Sequence, residues 1–411
     1  MSASREGPGL ENPGLENPGG ENPEQGGARL DELSRQGAAS RLGIWLAVTF
    51  SICFATGLLS HEYQEPSTWI PWGPSPSWGY RVSQGLHVCS GLLAVPLLLA
   101  KLHVVFGQLF AWPPVRGLVH GLERLSVALL VGSAIFMLTT GIMNTTQWYP
   151  WGFSFRAAHL AVAWVTVGSL VIHVGVKLPV VRAALDRPVP TERRGFLVGV
   201  GAAVAGTALF TVGEAFSPLS DLAVLAPRRP GVGPQGLPVN TTAAQAQVSD
   251  QAADQGWRLT LVGPGGDVEL DRDALLSMPQ RSVDLPIACV EGWSSMARWS
   301  GVPVARLVEM VGSIPTDHVR VVSLQRGSRY ATSVLPPQFL ASDDTLLALR
   351  LNGSDLHLDH GFPARIIAPD RPGVLQTKWV ARLEVVAGTD DVAAAAAGAA
   401  AAAAAGEGGD A

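Results

Sequence analysis

Five long apolar runs limit most strongly what this chain can fold into. They occupy residues 42–60, 85–110, 125–143, 157–176 and 196–212. Each is close to or above the roughly 20 apolar residues that a helix needs to cross a bilayer. Only 15% of the 411 residues are charged, whereas an average soluble protein carries about 25%. The sequence therefore predicts an all-α transmembrane bundle of five spans. Its net charge of −5 and lack of a basic motif exclude a nucleic-acid partner.

The positive charges between the runs indicate an orientation. The connection between the second and third runs carries Arg116 and Arg124, and the connection between the fourth and fifth carries five lysines and arginines. Each of the alternate connections carries a single arginine. Because cytoplasmic loops are enriched in Lys and Arg, the N-terminus is predicted to be cytoplasmic. The chain after the fifth run is then predicted to lie outside a bacterial cell membrane.

Paired arginines precede the fifth run. Arg193 and Arg194 are followed by Phe196, Leu197 and a moderately apolar segment, a pattern that resembles a twin-arginine export signal. An ordinary positively charged membrane anchor would need only the two arginines. We interpret residues 190–216 as a fifth span that also acts as such a signal, which would carry a folded domain across the membrane.

A short internal repeat divides the first four runs into two helical hairpins. TGLLSHEYQEPSTWIPWG (56–73) is similar to TGIMNTTQWYPWG (140–152), and each copy precedes a run that contains histidines. The repeat predicts that the four runs form one four-helix domain over residues 41–180.

Histidines inside the runs indicate a function, because ionisable side chains are costly in a bilayer. His159 and His173 are 14 residues apart, so a helix places them on nearly the same face and about 21 Å apart along its axis. This spacing suits two stacked b-type haems. His87 has the same depth as His159, and we expect these two to ligate the outer haem. Histidines that only hydrogen-bond between helices are the alternative.

The partner of His173 at the inner haem has two candidates. His103 has a suitable depth, but in a straight helix it lies about 160° from the face of His87. His120, at the start of the third run, lies on the cytoplasmic side and is preferred. Lys101 holds the position aligned with His173 and could contact a haem propionate.

The four-helix part resembles bacterial membrane di-haem cytochrome b domains. The resemblance rests on HV in the second run, HGLERLS in the third and the two histidines of the fourth, and it is to the form fused to molybdenum domains. It implies two b-type haems as cofactors and quinone or quinol as a partner.

The rest of the chain divides by composition. The predicted segments are a disordered tail over 1–40, a Pro/Gly linker over 226–238, a soluble domain over 239–390 and a low-complexity Ala/Gly tail over 391–411. Six segments read as strands, namely WRLTLVG, VDLPIACV, HVRVVSLQ, LLALRLN, ARIIAP and VARLEVVA. DRDALLSMP and VPVARLVEMVG read as helices. One mixed α/β domain is therefore expected.

Two motifs in this domain resemble the sulfite-oxidase superfamily of molybdenum enzymes. PIACVEGWSSMARWSGVPVARLVE (286–309) and HGFPARIIAPDRPGVLQTKWV (360–380) carry the resemblance, which covers about residues 238–388. It implies that the Cys289 thiolate ligates molybdenum beside the dithiolene of a molybdopterin. That role would explain an unpaired thiol on the oxidising side of a membrane. A small buried apolar residue is the alternative for Cys289.

The resemblance implies roles for four further residues. Glu291 would relay protons during oxygen-atom transfer, as in the methionine-sulfoxide reductase branch, which shares the Cys-Val-Glu pattern. Asn240, Arg365 and Lys378 would contact the pterin, with the two cations suited to its phosphate. A surface carboxylate and ordinary salt bridges are the alternatives.

Two departures separate this sequence from sulfite oxidases. Glu291 and Trp293 stand where those enzymes have an arginine for their anionic substrate, and no immunoglobulin-like dimerisation domain is recognised. The expected function is quinol-driven, molybdopterin-dependent removal of oxygen from a small or protein-bound S-oxide or N-oxide. Oxidation of a small sulfur compound in the reverse direction and a non-catalytic membrane sensor are the alternatives.

Overall fold

The computed structural model describes residues 23–65, 70, 72–186, 191–224, 226–328 and 330–386, without the side chains of 23–34, 191–192 and 217. Five long helices come first: α1 (Pro23–Gln64), α2 (Gly79–Leu109), α3 (Leu118–Thr146), α4 (Phe155–Leu185) and α5 (Thr191–Val212). Each contains a segment long and apolar enough to cross a membrane. The predicted five apolar helices are confirmed.

The first helix begins before the first apolar run. Residues 23–40, which the sequence assigns to a disordered tail, are helical. The stretch 28–41 is rich in Ala, Leu and Arg, which are strong helix formers, and it follows the Gly- and Pro-rich repeat. The predictions for residues 1–22 and 391–411 concern residues outside those described.

The bundle consists of two hairpins and an added helix. α1 packs on α2 and α4, α3 packs on α4, and α5 packs on α2. Leu42, Ala94, Leu97 and Ala134 belong to the core between them, where small alanines allow close approach of the helices. Lys101 donates from Nζ to the Ala39 carbonyl of α1 at 2.6 Å. At most 28% of any apolar window is buried, so most of the apolar surface is left for lipid.

The C-terminal domain (226–386) contains two β-sheets and short helices. Its strands are β1 (Arg258–Val262), β2 (Val268–Asp271), β3 (Arg281–Ala288), β4 (Ser294–Pro303), β5 (His318–Ser323), β6 (Thr332–Leu335), β7 (Leu346–Leu351), β8 (Ser354–Asp355), β9 (Arg365–Ile367) and β10 (Val380–Val386). Its helices are α6 (Ser249–Ala253), α7 (Arg272–Ser277), α8 (Val304–Glu309) and α9 (Pro337–Leu340). One sheet has the order β2-β1-β10-β5-β6, and the other has the order β3-β4-β7-β8 with β9 also paired to β7. Only β1 and β10 pair in parallel among these strands.

The predicted mixed α/β domain is confirmed. Six strands, β1, β3, β5, β7, β9 and β10, overlap the six predicted segments, and α7 and α8 overlap the two predicted helices. β4 was not predicted, because its Ser, Gly and Arg residues obscure the alternation that buries Ala297 and Trp299. It nevertheless lies inside a sheet, paired with both β3 and β7.

The C-terminal domain rests on one end of the bundle, which we call the docked end, where α1, α3 and α5 end and α2 and α4 begin. Asp370 accepts hydrogen bonds there from the Tyr63 hydroxyl at 3.0 Å and the Tyr80 backbone N–H at 2.6 Å. The Ser294 N–H donates to the Glu214 carbonyl at 3.0 Å. The opposite end, where α2 and α4 end, is the far end.

Candidate active site

Cys289 opens the turn that joins β3 to β4, which we call the cysteine turn (289–293). The Cys289 N–H donates to the Trp293 carbonyl at 2.9 Å, and the Gly292 N–H donates to the Cys289 carbonyl at 3.1 Å. Gly292 has a φ of 109°, in the region that favours glycine. A Cβ at this position would lie 2.9 Å from Val88 of α2. The cysteine turn is therefore pressed directly against the bundle.

A cavity of 680 Å³ lies between the C-terminal domain and the docked end. Cys289 forms part of its wall, together with all three predicted pterin contacts, Asn240, Arg365 and Lys378. Residues of α1 to α4 complete the wall, including the two histidines predicted to hold the outer haem. One continuous cavity thus joins the cysteine to the histidines.

The thiol of Cys289 is buried, with 1% of the residue exposed. Burial raises the pKa of this thiol, and the nearby Glu291 raises it further. Asn240 Nδ2 lies 3.9 Å from the sulfur. A metal ion bound to the thiol would reverse this effect, because a coordinating thiol is deprotonated. Among the described residues no group of three or more His, Cys, Asp or Glu could hold a metal ion, so a metal at Cys289 would need its other ligands from a cofactor.

Two cations in the cavity wall, the buried Arg365 and the partly buried Lys378, form no salt bridge within the described residues. Arg365 donates to two backbone carbonyls at 3.0 and 3.2 Å, and its Nε has no partner there. Lys378 Nζ donates to two backbone carbonyls at 2.5 and 3.1 Å. Burial lowers the pKa of Arg365 to about 9 and that of Lys378 to about 7. A bound anion would favour both charged forms, so the pair suits a phosphate group.

Glu291 lies in the cysteine turn, but its carboxylate is already bonded. One oxygen accepts from the side-chain amide of Gln147, and the other accepts from Arg228 Nη1 at 2.8 Å and Trp293 Nε1 at 3.0 Å. Burial raises the pKa of this carboxyl, and the Arg228 charge opposes the rise. The chain turns between Cys289 and Glu291 and is not extended there. This turn allows both residues to line the same cavity.

His87 of α2 and His159 of α4 face each other at the docked end. Their ring centroids are 6.3 Å apart, and the rings are inclined by 79°. Two imidazoles that bind one metal ion from opposite sides, each with an N–metal distance of about 2 Å, have ring centres at about this separation. The predicted pairing of these two histidines therefore agrees with the geometry.

Both rings are held through Nδ1. His87 Nδ1 lies 2.8 Å from the Cys53 carbonyl, which can only accept, so Nδ1 carries the proton. His159 Nδ1 lies 2.9 Å from the Thr140 hydroxyl, which itself lies 2.8 Å from the Phe136 carbonyl. When Thr140 donates to Phe136 and accepts from His159, each ring has an unprotonated Nε2. Partners of this kind orient metal-binding histidines.

The histidines at the far end are not paired in this way. Within the described residues His173 has no ring contact with His120 or His103. His103 lies instead against Phe196 of α5, with ring centroids 6.1 Å apart. His120 and His173 both lie within electrostatic range of Glu123. His120 and His173 thus share Glu123 as a charged neighbour, whereas His103 packs beside α5.

Three residues of the site were missed by the sequence prediction. His360 lines the cavity, its Nε2 lies 2.6 Å from the Pro234 carbonyl, and burial lowers its pKa to about 4. It begins the quoted motif HGFP, so the motif could have indicated it. Arg228 and Gln147 lie 63 and 144 residues from Glu291 along the chain, and no local pattern connects them to it.

Comparison with known proteins matches the domain that contains Cys289. Residues 245–392 match the family model described as Oxidoreductase molybdopterin binding domain. The chain is 33% identical over 105 residues to sulfite oxidase of Arabidopsis thaliana, covering 22% of this chain and 27% of that protein. It is 30% identical over 159 residues to the mitochondrial sulfite oxidase of Mus musculus, covering 31% and 29%.

A third relative bears a different name. The chain is 31% identical over 118 residues to a protein of Azospira oryzae provisionally named protein-methionine-sulfoxide reductase subunit YedZ1, covering 28% of this chain and 42% of that protein. The chain thus matches less than half the length of each of these relatives. The matched model describes a molybdopterin-binding domain, and the buried thiol and the two cations without salt bridges are compatible with such a group. Residues 245–392 therefore match a molybdopterin-binding oxidoreductase domain, with sulfite oxidases among the relatives, and in this chain the match follows five apolar helices.

Proposed function

We propose that this chain is a membrane-bound oxidoreductase that takes electrons from quinol through b-type haem and delivers them to an S-oxide or N-oxide at a molybdenum cofactor outside the membrane. The observation that carries the proposal is the single cavity lined by His87, His159 and Cys289. Redox centres held by these residues would share one enclosure, so electrons could pass between them without a separate carrier protein.

The donor set around Cys289 supports the molybdenum half of the proposal. Cys289 would supply one thiolate ligand, and Asn240 is within reach of the sulfur. Arg365 and Lys378 would hold the pterin phosphate, which would supply the negative charge that these two cations lack. When bound, the molybdenum cofactor supplies the two-electron chemistry of oxygen-atom transfer.

The His87–His159 pair supports a b-type haem at the docked end. Both Nε2 atoms are free to ligate, and both Nδ1 atoms are already engaged. Gly57 of α1 makes room for the first ring, because a Cβ there would lie 2.8 Å from His87. Phe50, Phe54 and Leu160 add apolar side chains to the same part of the cavity, as suits an apolar macrocycle.

A second haem is proposed at the far end, with His173 and His120 as ligands and His103 as the alternative to His120. Its support is the depth of His173 and the common proximity of His120 and His173 to Glu123. Quinol would reach the bundle through the lipid. The bias of Lys and Arg toward the far end supports a cytoplasmic location for that end, and Arg193 and Arg194 are proposed as an export signal.

A neutral oxide is the better proposed substrate than sulfite. Glu291 and Trp293 follow Cys289, and the cysteine turn (289–293) carries no cation of its own to hold an anionic substrate. The name of the Azospira relative also favours a sulfoxide. Each turnover would release one oxygen as water and consume two electrons and two protons. A proton relay through Glu291 remains a prediction, and the same cofactors would also serve the reverse oxidation.

The proposal is tested on the full chain purified in detergent. We expect molybdenum in metal analysis, b-type bands in reduced-minus-oxidised spectra, and reoxidation of quinol-reduced haem by a sulfoxide. Cys289→Ser changes a soft thiolate to a harder oxygen at nearly constant volume. This variant should keep its haem bands but lose reoxidation by substrate.

Cys89→Ser is the matched control, since Cys89 lies in α2 and has only a 3.6 Å contact with the Thr211 hydroxyl. This variant should turn over at the parental rate. A protein without molybdenum, or a Cys289→Ser variant with parental turnover, would refute the proposal. Reduction of the haem by a sulfide, with no reoxidation by a sulfoxide, would establish the reverse direction instead.

A further inference from the structure

Three side chains from distant parts of the sequence form a closed network at the cysteine turn. Arg228 belongs to the linker, Gln147 to the connection between α3 and α4, and Glu291 to the turn itself. Arg228 donates from Nη1 to Glu291 at 2.8 Å and from Nη2 to the Gln147 side-chain oxygen at 2.5 Å. Gln147 in turn donates to the other Glu291 oxygen. Each pair of the three is directly bonded.

Arg228 can form this network because its fork presents several donors at once. Its Nε also donates to the Val239 carbonyl at 3.0 Å. This bond ties the beginning of the linker to the residue that follows its end. The Glu291 side chain is only 5% exposed, and that of Arg228 is 21% exposed. Removing Arg228 would leave the mostly buried Glu291 charge without a cationic partner, although Gln147 and Trp293 would still donate to it. An uncompensated buried charge is costly, so the cysteine turn is expected to move.

The network ties the cysteine turn to the elements that hold the paired histidines. Gln147 directly follows α3, whose Thr140 bonds His159. On the other side of the turn, Gln84 donates to the Val290 carbonyl at 2.5 Å, and it lies one helical turn before His87 on α2. Two hydrogen bonds, one to each hairpin, thus help to position Cys289 relative to both histidines, in addition to the packing of Gly292 on Val88.

We infer that Arg228 is a positioning residue for electron transfer, which holds the cysteine turn at a fixed separation from the His87–His159 pair through Glu291 and Gln147. The inference rests on the proposed function. Electron transfer between two centres falls steeply with their separation, so a small displacement of the turn slows transfer while each centre stays intact. Arg228 contacts neither centre and acts only through its partners.

The test compares Arg228→Gln with Arg228→Lys and Arg229→Gln in the full chain. Arg229→Gln is the matched control, since it removes the same charge one position along and has no side-chain bond within the described residues. In Arg228→Gln we expect parental haem spectra and molybdenum content. Reoxidation of quinol-reduced haem by sulfoxide should be slower by about tenfold or more, and this rate should fall by a larger factor than sulfoxide reduction with a small soluble reductant. Arg228→Lys should be intermediate, because lysine keeps the charge but not the fork.

A second readout does not depend on the cofactors. Amide hydrogen exchange of residues 289–293 should become faster in Arg228→Gln and stay parental in Arg229→Gln. Parental haem reoxidation in Arg228→Gln, or unchanged exchange in the cysteine turn, would overturn the inference. Loss of the soluble-reductant activity would overturn it as well, since Arg228 would then act on the chemistry itself. Absence of haem or molybdenum from the parental protein would refute the proposed function, and the exchange measurement would still decide whether Arg228 holds the turn.

Discussion

The docked end and the far end of the bundle contain histidines at matched depths, yet they hold them differently. At the docked end the two imidazoles are 6.3 Å apart, each fixed through Nδ1, and a domain closes the cavity around them. At the far end His173 has charged neighbours, Glu123 and Lys101, and the described residues show no imidazole facing it. Depth in the membrane therefore predicts where a metal ligand could lie. Whether a site is already shaped for a metal depends on how the histidines pack and on which group bonds the second nitrogen of each imidazole ring.

The largest expected effect separates the two ends directly. His159→Ala should remove one bis-histidine b-type signal and abolish sulfoxide-driven reoxidation of the remaining haem, because the haem next to Cys289 is lost. His173→Ala should remove a different signal and stop reduction of the outer haem by quinol. Redox-poised optical spectra of membranes measure both. Identical spectra in the two variants would mean that the ends do not hold separate haems.

The next effect concerns the ligand at the far end. His120→Ala should reproduce the spectrum of His173→Ala, since both side chains lie within electrostatic range of Glu123. His103→Ala should leave both signals, because its ring packs on Phe196. Should His103→Ala reproduce the His173→Ala spectrum instead, the assignment of His120 is wrong and His103 is the inner ligand.

Each repeat contributes one glycine beside a histidine of the docked end. Substituting these two glycines is expected to have a smaller effect than the histidine substitutions, and it compares the two histidine environments directly. A Cβ on Gly57 would lie 2.8 Å from the His87 ring, whereas a Cβ on Gly141 would lie 3.6 Å from the His159 ring. Gly57→Ala should displace His87 and lower haem affinity at this site by about tenfold. Gly141→Ala should change it little. Haem content after dialysis with apomyoglobin as acceptor measures both, and equal losses would show that the His87 ring is not confined by α1.

The smallest effect is a pH dependence confined to the docked end. Burial raises the pKa of Asp370 to about 6, above the value of about 4 for an exposed Asp. The stabilisation from its protonated form is therefore full below about pH 4 and is lost as the pH rises through about 6. Asp370→Asn keeps an acceptor for the Tyr80 N–H and presents an amide donor to the Tyr63 hydroxyl, without the charge, so it should flatten this dependence.

Thermal unfolding of the detergent-solubilised chain at pH 4.5 and pH 7 checks this last expectation. The difference in unfolding temperature between the parent and Asp370→Asn isolates the contribution of this carboxyl from those of other acids. A constant difference at both pH values would place the titration of Asp370 outside this range.

The sequence predicted most of the fold, since apolar runs and short alternating segments are local patterns. It also placed Cys289, Asn240, Arg365 and Lys378 together, because the resemblance to a known family covers all four, and its two motifs carry Cys289, Arg365 and Lys378. It could not predict the network of Glu291, since Arg228 and Gln147 meet it only through docking of two domains. The strand β4 was missed for a related reason: pairing on both sides, and not its own residues, makes it a central strand.

The place of β10 in its sheet bears on how the protein is made. β10 lies between β1 and β5 in the sheet. Leu261 of β1 pairs with Leu383 of β10, although most of the domain sequence separates the two residues. While the chain is being synthesised, β1 and β5 each present an open edge that only the last strand can fill. Arg365 and Lys378 also leave the ribosome just before that strand. The domain therefore cannot complete its sheet or its cavity until nearly all of it has been translated, and any cofactor must be inserted after that point. An export route that carries folded domains with their cofactor already bound would suit this order of assembly. If the chain were instead threaded across the membrane unfolded, the sheet would have to be completed and the cofactor inserted after the crossing.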